Sequence, residues 1–169
     1  CRICQIHKVF GMKKLILIFI LFLSNFAHAK TIEGLVVGVA DGDTITVLDQ
    51  QKNTYKIRLQ GIDAPEKKQA FGEKSKQSLH DLVHRKQVRI EYDKEDKYGR
   101  IVGKVTVDDV DVCLQQLVLG MAWHYKKYQN EQSVSDRALY SDTELKSKSL
   151  KLGLWTEDTP MPPWEFRKK

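Results

Sequence analysis

Asp43-Thr44-Ile45-Thr46-Val47-Leu48, the polar run Asp49-Gln50-Gln51-Lys52-Asn53, and Thr54-Tyr55-Lys56-Ile57-Arg58-Leu59-Gln60 read as two strands joined by a turn. Ile45 and Val47 alternate with polar neighbours in the first strand; Tyr55, Ile57 and Leu59 share one face of the second. Such period-two alternation buries one face and leaves the other open, which places Arg58 opposite the apolar set. Upstream, Thr31 to Ala40 is a further β-rich run. Downstream, Gln87 to Asp93 alternates Val88, Ile90 and Tyr92, and Arg100 to Val107 pairs back across a turn at Gly99. Five strands are the number of a small OB-type barrel.

Three helices complete an α+β reading. One is expected from near Pro65 or Glu66 to about Arg85, with Phe71, Ser75, Leu79, Leu82 and Val83 on a single stripe. Asp111 caps a short helix through Leu119 that Gly120 ends, and the last helix spans about Ser135 to Leu152, closed by Gly153. The sequence contains no internal repeat.

The first 29 residues read as an address and not as part of the fold. Met12 precedes Lys13 and Lys14, the apolar run Leu15 to Leu23, and the small-x-small ending Ala27-His28-Ala29. This is the pattern of an export signal cleaved after Ala29, with Cys1 to Gly11 read as upstream of the start Met. The apolar run is shorter than the roughly 20 residues a membrane span needs. The mature chain is expected to be exported, monomeric and without stable membrane association: a domain over 30–155, followed by a Pro-containing basic tail over 156–169. The net charge of +6 loses four cations with the leader (Arg2, Lys8, Lys13, Lys14), leaving +2. Bulk charge that small does not argue for a polyanionic partner, so local patches must. Cys113 is the sole cysteine after Ala29, which excludes an intrachain disulfide there.

Four clusters carry the chemistry: Asp41-Gly42-Asp43-Thr44, Arg58, Asp63-Ala64-Pro65-Glu66 and Asp96-Lys97-Tyr98-Gly99-Arg100. Carboxylates at strand ends and turns suit a hard cation such as Ca²⁺, which takes oxygen ligands in a loose shell. Two arginines suit a phosphate, because a planar guanidinium grips two oxygens at once. A further carboxylate beside them can orient or deprotonate a water. Cation, phosphate clamp and water base together describe phosphodiester hydrolysis.

The clusters, in this order and spacing, resemble the staphylococcal nuclease (thermonuclease) family of Ca²⁺-dependent secreted nucleases, from about Thr31 to Trp155. The resemblance implies Ca²⁺ ligation by Asp43, Asp63 and the Ala64 backbone carbonyl, with Asp41 supporting from behind. It implies catalytic roles for Arg58, Glu66 and Arg100, DNA and RNA as substrates, and products with 5′-hydroxyl and 3′-phosphate ends. Tyr98 and Lys97, inside the matching turn, and Tyr125, after the second helix, are the expected substrate contacts. The stretch after Glu66 is shorter than the mobile basic loop of the best-known member, so that loop's lysines are not carried over.

Each cluster has a plainer reading. Asp-Gly is a common turn, Asp63 and Glu66 could cap a helix and favour its dipole, and Arg58 could be an exposed strand residue. Tyr125 could be a core aromatic, and Arg167-Lys168-Lys169 reads as a solvated end. His80-Asp81-Leu82-Val83-His84 imitates a zincin helix, but Asp is short for the Glu role and no third ligand is evident. The remaining alternative is a non-catalytic nucleic-acid-binding OB module. Such modules typically lose site residues, and this chain keeps each one.

Overall fold

The computed structural model describes residues 30–169. The leader, its cleavage site, Cys1 and Cys4 lie outside the described residues. Eight strands follow in order: β1 (Lys30–Val39), β2 (Thr44–Leu48), β3 (Thr54–Leu59), β4 (Ile62–Asp63), β5 (Gln87–Glu95), β6 (Ile101–Val107), β7 (Val110–Asp111) and β8 (Trp123–His124). The main sheet runs β3-β2-β1-β5-β6-β7, and a parallel β3–β6 pairing, Ile57 against Ile101 and Leu59 against Gly103, closes five of its strands into a barrel. This is the expected OB-type barrel. Closure removes the open edges that a five-stranded sheet would otherwise expose.

The alternating residues fill the barrel. Val36, Ile45, Val47, Ile57, Ile90 and Val105 have no exposed surface, and burying each is worth roughly 1.5–3 kcal/mol. Three helices pack on it: α1 (Gly72–Val83), α2 (Val112–Val118) and α3 (Val134–Ser149). Asp111 caps α2 by accepting from the Leu114 amide, and Ser133 caps α3 by accepting from that of Asp136. The first helix starts later than its sequence suggests. Residues 66–71 form successive turns, with the Gln69 amide donating to Glu66 O and the Gly72 amide to Gln69 O. Phe71 adopts φ 64°, so the helix cannot extend back through it. Glu66 therefore sits in a loop, not on a helix N-terminus.

The tail after Trp155 folds back on the domain. It ends in a one-turn helix, α4 (Pro163–Phe166), with Pro163 at the first position, where its missing N–H costs nothing. Trp164 stacks on Tyr125, with ring centroids 5.5 Å apart and planes 12° apart, and meets Trp123 edge-on at 5.7 Å. These contacts fasten the tail to the domain.

Candidate active site

The site gathers where β2, β3 and β4 end. Asp41 accepts a hydrogen bond from the Asp43 amide, a local turn that fixes the entry to β2. Gly42 is required there by space: a Cβ on it would come within 1.9 Å of Ser75 Oγ and 2.7 Å of Ala64 Cβ. The buried Gln116 side chain holds the arrangement by donating to both Gly42 O and Ser75 O. Thus α1 and α2 press the Asp41–Asp43 loop against Ala64.

Arg58 ties the carboxylates together. Its Nη1 lies 3.0 Å from Asp43 Oδ2, and its Nη2 donates to Asp63 Oδ1 at 2.9 Å. The Ala64 amide donates to the same Asp43 oxygen at 2.8 Å. With its side chain 12% exposed, Arg58 is no ordinary surface strand residue. Burial works against its charge, but Asp43, Asp63 and Asp41 outweigh that and raise its pKa above the ordinary value. Burial likewise raises Asp63, an effect that Arg167 and Arg58 oppose without cancelling. Burial and the neighbouring Asp43 push the Asp41 carboxyl up to about 6. Burial, more than mutual repulsion, sets both of these carboxyl shifts.

Arg100 approaches from the β5–β6 turn. Its Nε and Nη2 both lie 2.8 Å from Asp96 Oδ2, and its Nη1 reaches Thr44 Oγ1 at 3.4 Å. Thr44 Oγ1 in turn donates to Asp43 Oδ1, which links Arg100 to the carboxylates through one side chain. The turn itself needs Gly99 at φ 74°. Tyr98 is 72% exposed, with the Lys97 ammonium 4.9 Å and the Arg100 guanidinium 5.6 Å from its ring centre. Tyr125 lies elsewhere, on the flank where β8 pairs with β4 and Asp63 faces Trp123. Asp41, Asp43, Arg58, Asp63 and Ala64 therefore form one cluster, Glu66 joins it only through Arg167, Arg100 with Lys97 and Tyr98 borders it, and Tyr125 stands to the side.

One residue of the site was read otherwise from sequence. Arg167 is not a solvated end: Nη2 donates to Asp63 Oδ2 at 2.7 Å, and Nη1 to Glu66 Oε1 at 2.6 Å. The local sequence gives a weak signal for this return, in Pro162-Pro163-Trp164, since a tryptophan among prolines wants a seat on the domain. His80 and His84 stack on each other at 4.2 Å on α1.

The donor set fits a hard cation. Two buried carboxylates, Asp43 and Asp63, bracket the Arg58 guanidinium with Asp41 close by, and these with the Ala64 carbonyl are the hard oxygen donors present. Among the described residues no group of three or more His, Cys, Asp or Glu forms a ready cage. A shell of two carboxylates and a backbone carbonyl does not require one.

The molecule is thus a closed OB-type barrel with guanidiniums threaded among buried carboxylates at one end. The family model for staphylococcal nuclease homologues matches residues 56–157. An uncharacterized endonuclease of Haemophilus influenzae is 34% identical over 98% of this chain and 88% of its own length. A second, from Escherichia coli, is 37% identical over 92% and 98%. A micrococcal nuclease of Shigella flexneri is 35% identical over 80% of each chain. The chain belongs to the staphylococcal nuclease homologue family.

Proposed function

We propose that this protein is a Ca²⁺-dependent endonuclease that hydrolyses phosphodiester bonds of DNA and RNA. The observation that carries the reading is the meeting of Arg58, Asp43 and Asp63 in one cluster, to which Arg167 ties Glu66, although they are spread over the ends of several elements. Asp43, Asp63 and the Ala64 carbonyl are the groups that would hold the cation, and Asp41 steadies Asp43. When bound, the cation supplies polarisation of a phosphate oxygen and offsets the crowded carboxylates.

The chain's own residues do the rest. Glu66, in an open loop, takes a proton from a water that attacks phosphorus in line. The bond from phosphorus to the 5′ oxygen breaks, and that oxygen leaves as a hydroxyl after gaining a proton from surrounding water. The phosphate stays on the 3′ side. Arg58 and Arg100 meet the charge that builds on the phosphoryl oxygens. Every contact so assigned is to phosphate or to a base face, so tolerance of sugar and sequence follows.

Export after cleavage at Ala29 belongs to the same proposal and rests on the leader's pattern. Among the described residues no helix is long and apolar enough to cross a membrane. The test of function is a digest of single-stranded DNA and RNA in Ca²⁺ and in EDTA, with end-group analysis. Cleavage to 3′-phosphate ends that EDTA abolishes supports the reading; full activity in EDTA removes the metal from it.

A further inference from the structure

Beside the carboxylate cluster lies a cavity of about 590 Å³, walled by β8 and the residues after it, by α3 and by α4. Trp123, Tyr125 and Trp164 supply its aromatic surface, and Lys127, Lys148 and Lys168 supply unpaired charge. Among the described residues the lysines with carboxylate partners are Lys94, Lys104 and Lys126, the last held by the buried Glu144 at 2.9 Å. Three exposed lysines thus line one concavity without an ion-pair partner, and the carboxylate that also lines it, Glu144, is engaged by Lys126. Like charges gathered in a cleft with low-dielectric walls repel one another and focus a potential that draws anions.

The aromatic rings are arranged, not merely present. Trp164 lies flat on Tyr125, Trp123 stands edge-on to both Trp164 and Trp155, and the Lys148 ammonium sits 5.9 Å above the Trp123 ring. Trp123 Nε1 and His124 Nδ1, both on residues lining the cavity, are buried without a hydrogen-bond partner. Arg167 joins the two places, since it lines the cavity while its guanidinium meets Asp63 and Glu66. Cations interleaved with aromatic faces match a chain of phosphates with stacking bases, and a folded acidic partner would have no use for the ring surface.

We propose that the C-terminal segment from Pro160 to Lys168 completes a subsite for single-stranded nucleic acid, in which Lys127, Lys148 and Lys168 hold phosphates next to the cleaved one and the Trp164–Tyr125 pair offers a face for a base. The subsite rests on the nuclease reading for its place along the strand, and on its own geometry for its existence.

The experiment measures binding of a fluorescein-labelled phosphorothioate oligothymidylate of 12 nucleotides to the full chain in EDTA, over a series of salt concentrations. The comparison is with Lys127→Ala/Lys148→Ala/Lys168→Ala, and with Lys127→Ala/Lys168→Ala should the triple variant fail to fold. Single-stranded binding loses about 0.7 of a logarithmic salt slope per phosphate contact, so the triple variant should flatten the slope by about 2 and the double by about 1.4. Affinity at low salt should fall at least tenfold. Unchanged affinity and slope in a folded variant overturn the subsite, as does equal displacement of the oligonucleotide by poly-glutamate at matched charge. A separate digest with wild-type protein tells the two readings apart. Binding lost in the variants with no cleavage by wild type supports the subsite and sinks the nuclease; cleavage with unaltered binding does the reverse.

Discussion

Arg167 and Asp63 stand 104 residues apart in the chain and meet side by side, Nη2 to Oδ2 at 2.7 Å and Nη1 to Oδ1 at 3.3 Å. With Arg58 on Oδ1 as well, both oxygens of Asp63 are engaged by guanidinium. The hydrogen bond to Asp63, against burial and helped by the one to Glu66, holds the Arg167 pKa well above the ordinary value. A cation that takes Asp63 as ligand must displace this partner. Arg167→Ala is therefore expected to bind Ca²⁺ about threefold to fivefold more tightly, the worth of about 0.7–1 kcal/mol, the upper part of the range for a partly exposed ion pair. Titration calorimetry on the two proteins checks it, and equal affinities would separate Arg167 from the cation site.

Lysine keeps the charge of arginine but not its planar pair of donors. Arg58→Lys and Arg100→Lys are each expected to lower kcat by about a hundredfold or more, the scale of a lost transition-state donor. Their folding costs should differ. Arg58 is nearly enclosed and serves two buried carboxylates, so its lysine variant should lose about 1.5–3 kcal/mol. Arg100 is more open and pairs with one carboxylate at the rim, so its variant should lose under about 1 kcal/mol. Steady-state kinetics with urea melts on both proteins separate the two effects.

Gly42 has no room for a side chain. Gly42→Ala should push the Asp41–Asp43 loop off Ser75 and Ala64, at an overpacking cost of about 1–3 kcal/mol. Because that loop carries Asp43, Ca²⁺ affinity should fall in the same variant. A melt together with Ca²⁺ titration checks both; unchanged values would mean the loop is not held where α1 places it.

Cys113 is fully buried, and burial with the nearby Asp111 pushes its thiol up to about 12. At pH 8 the native protein should therefore leave an aromatic disulfide reagent unreacted, and urea should release one thiol per mature chain. Rapid reaction of the native protein would show that the α2 packing opens.

Much of this was legible in the chain. The five barrel strands could be read because each buries alternate residues, and Ile45, Val47, Ile57 and Ile90 have no exposure. The resemblance brought Asp43, Arg58, Asp63, Glu66 and Arg100 to notice, and the fold sets the first three side by side, with Glu66 tied to them through Arg167. The start of α1 was not legible, because Glu66 to Phe71 carry helix-compatible residues and only the left-handed Phe71 breaks the run. Arg167 was hidden for a different reason. A short basic end reads as solvated, and its partners lie more than 100 residues away. Local pattern does not encode a contact of that separation. Arg58 was half legible: alternation placed it away from the apolar face, but its enclosure comes from β2 pairing with β3, which sets Thr44 opposite it, and from the short return of the chain from Leu59 to Asp63.

The central claim is that Glu66, with the cation held by Asp43 and Asp63, activates water against a phosphodiester. Glu66 sits in an open loop, so Glu66→Gln keeps shape and hydrogen bonding while removing the base. The most direct measurement is the rate of single-stranded DNA cleavage by wild type and Glu66→Gln, each in Ca²⁺ and in EDTA, with Ca²⁺ binding measured alongside. The account predicts that wild type cleaves only in Ca²⁺, and that the variant binds Ca²⁺ yet cleaves at least a hundredfold more slowly. Wild-type rates from a folded Glu66→Gln protein, or cleavage that persists in EDTA, would contradict it.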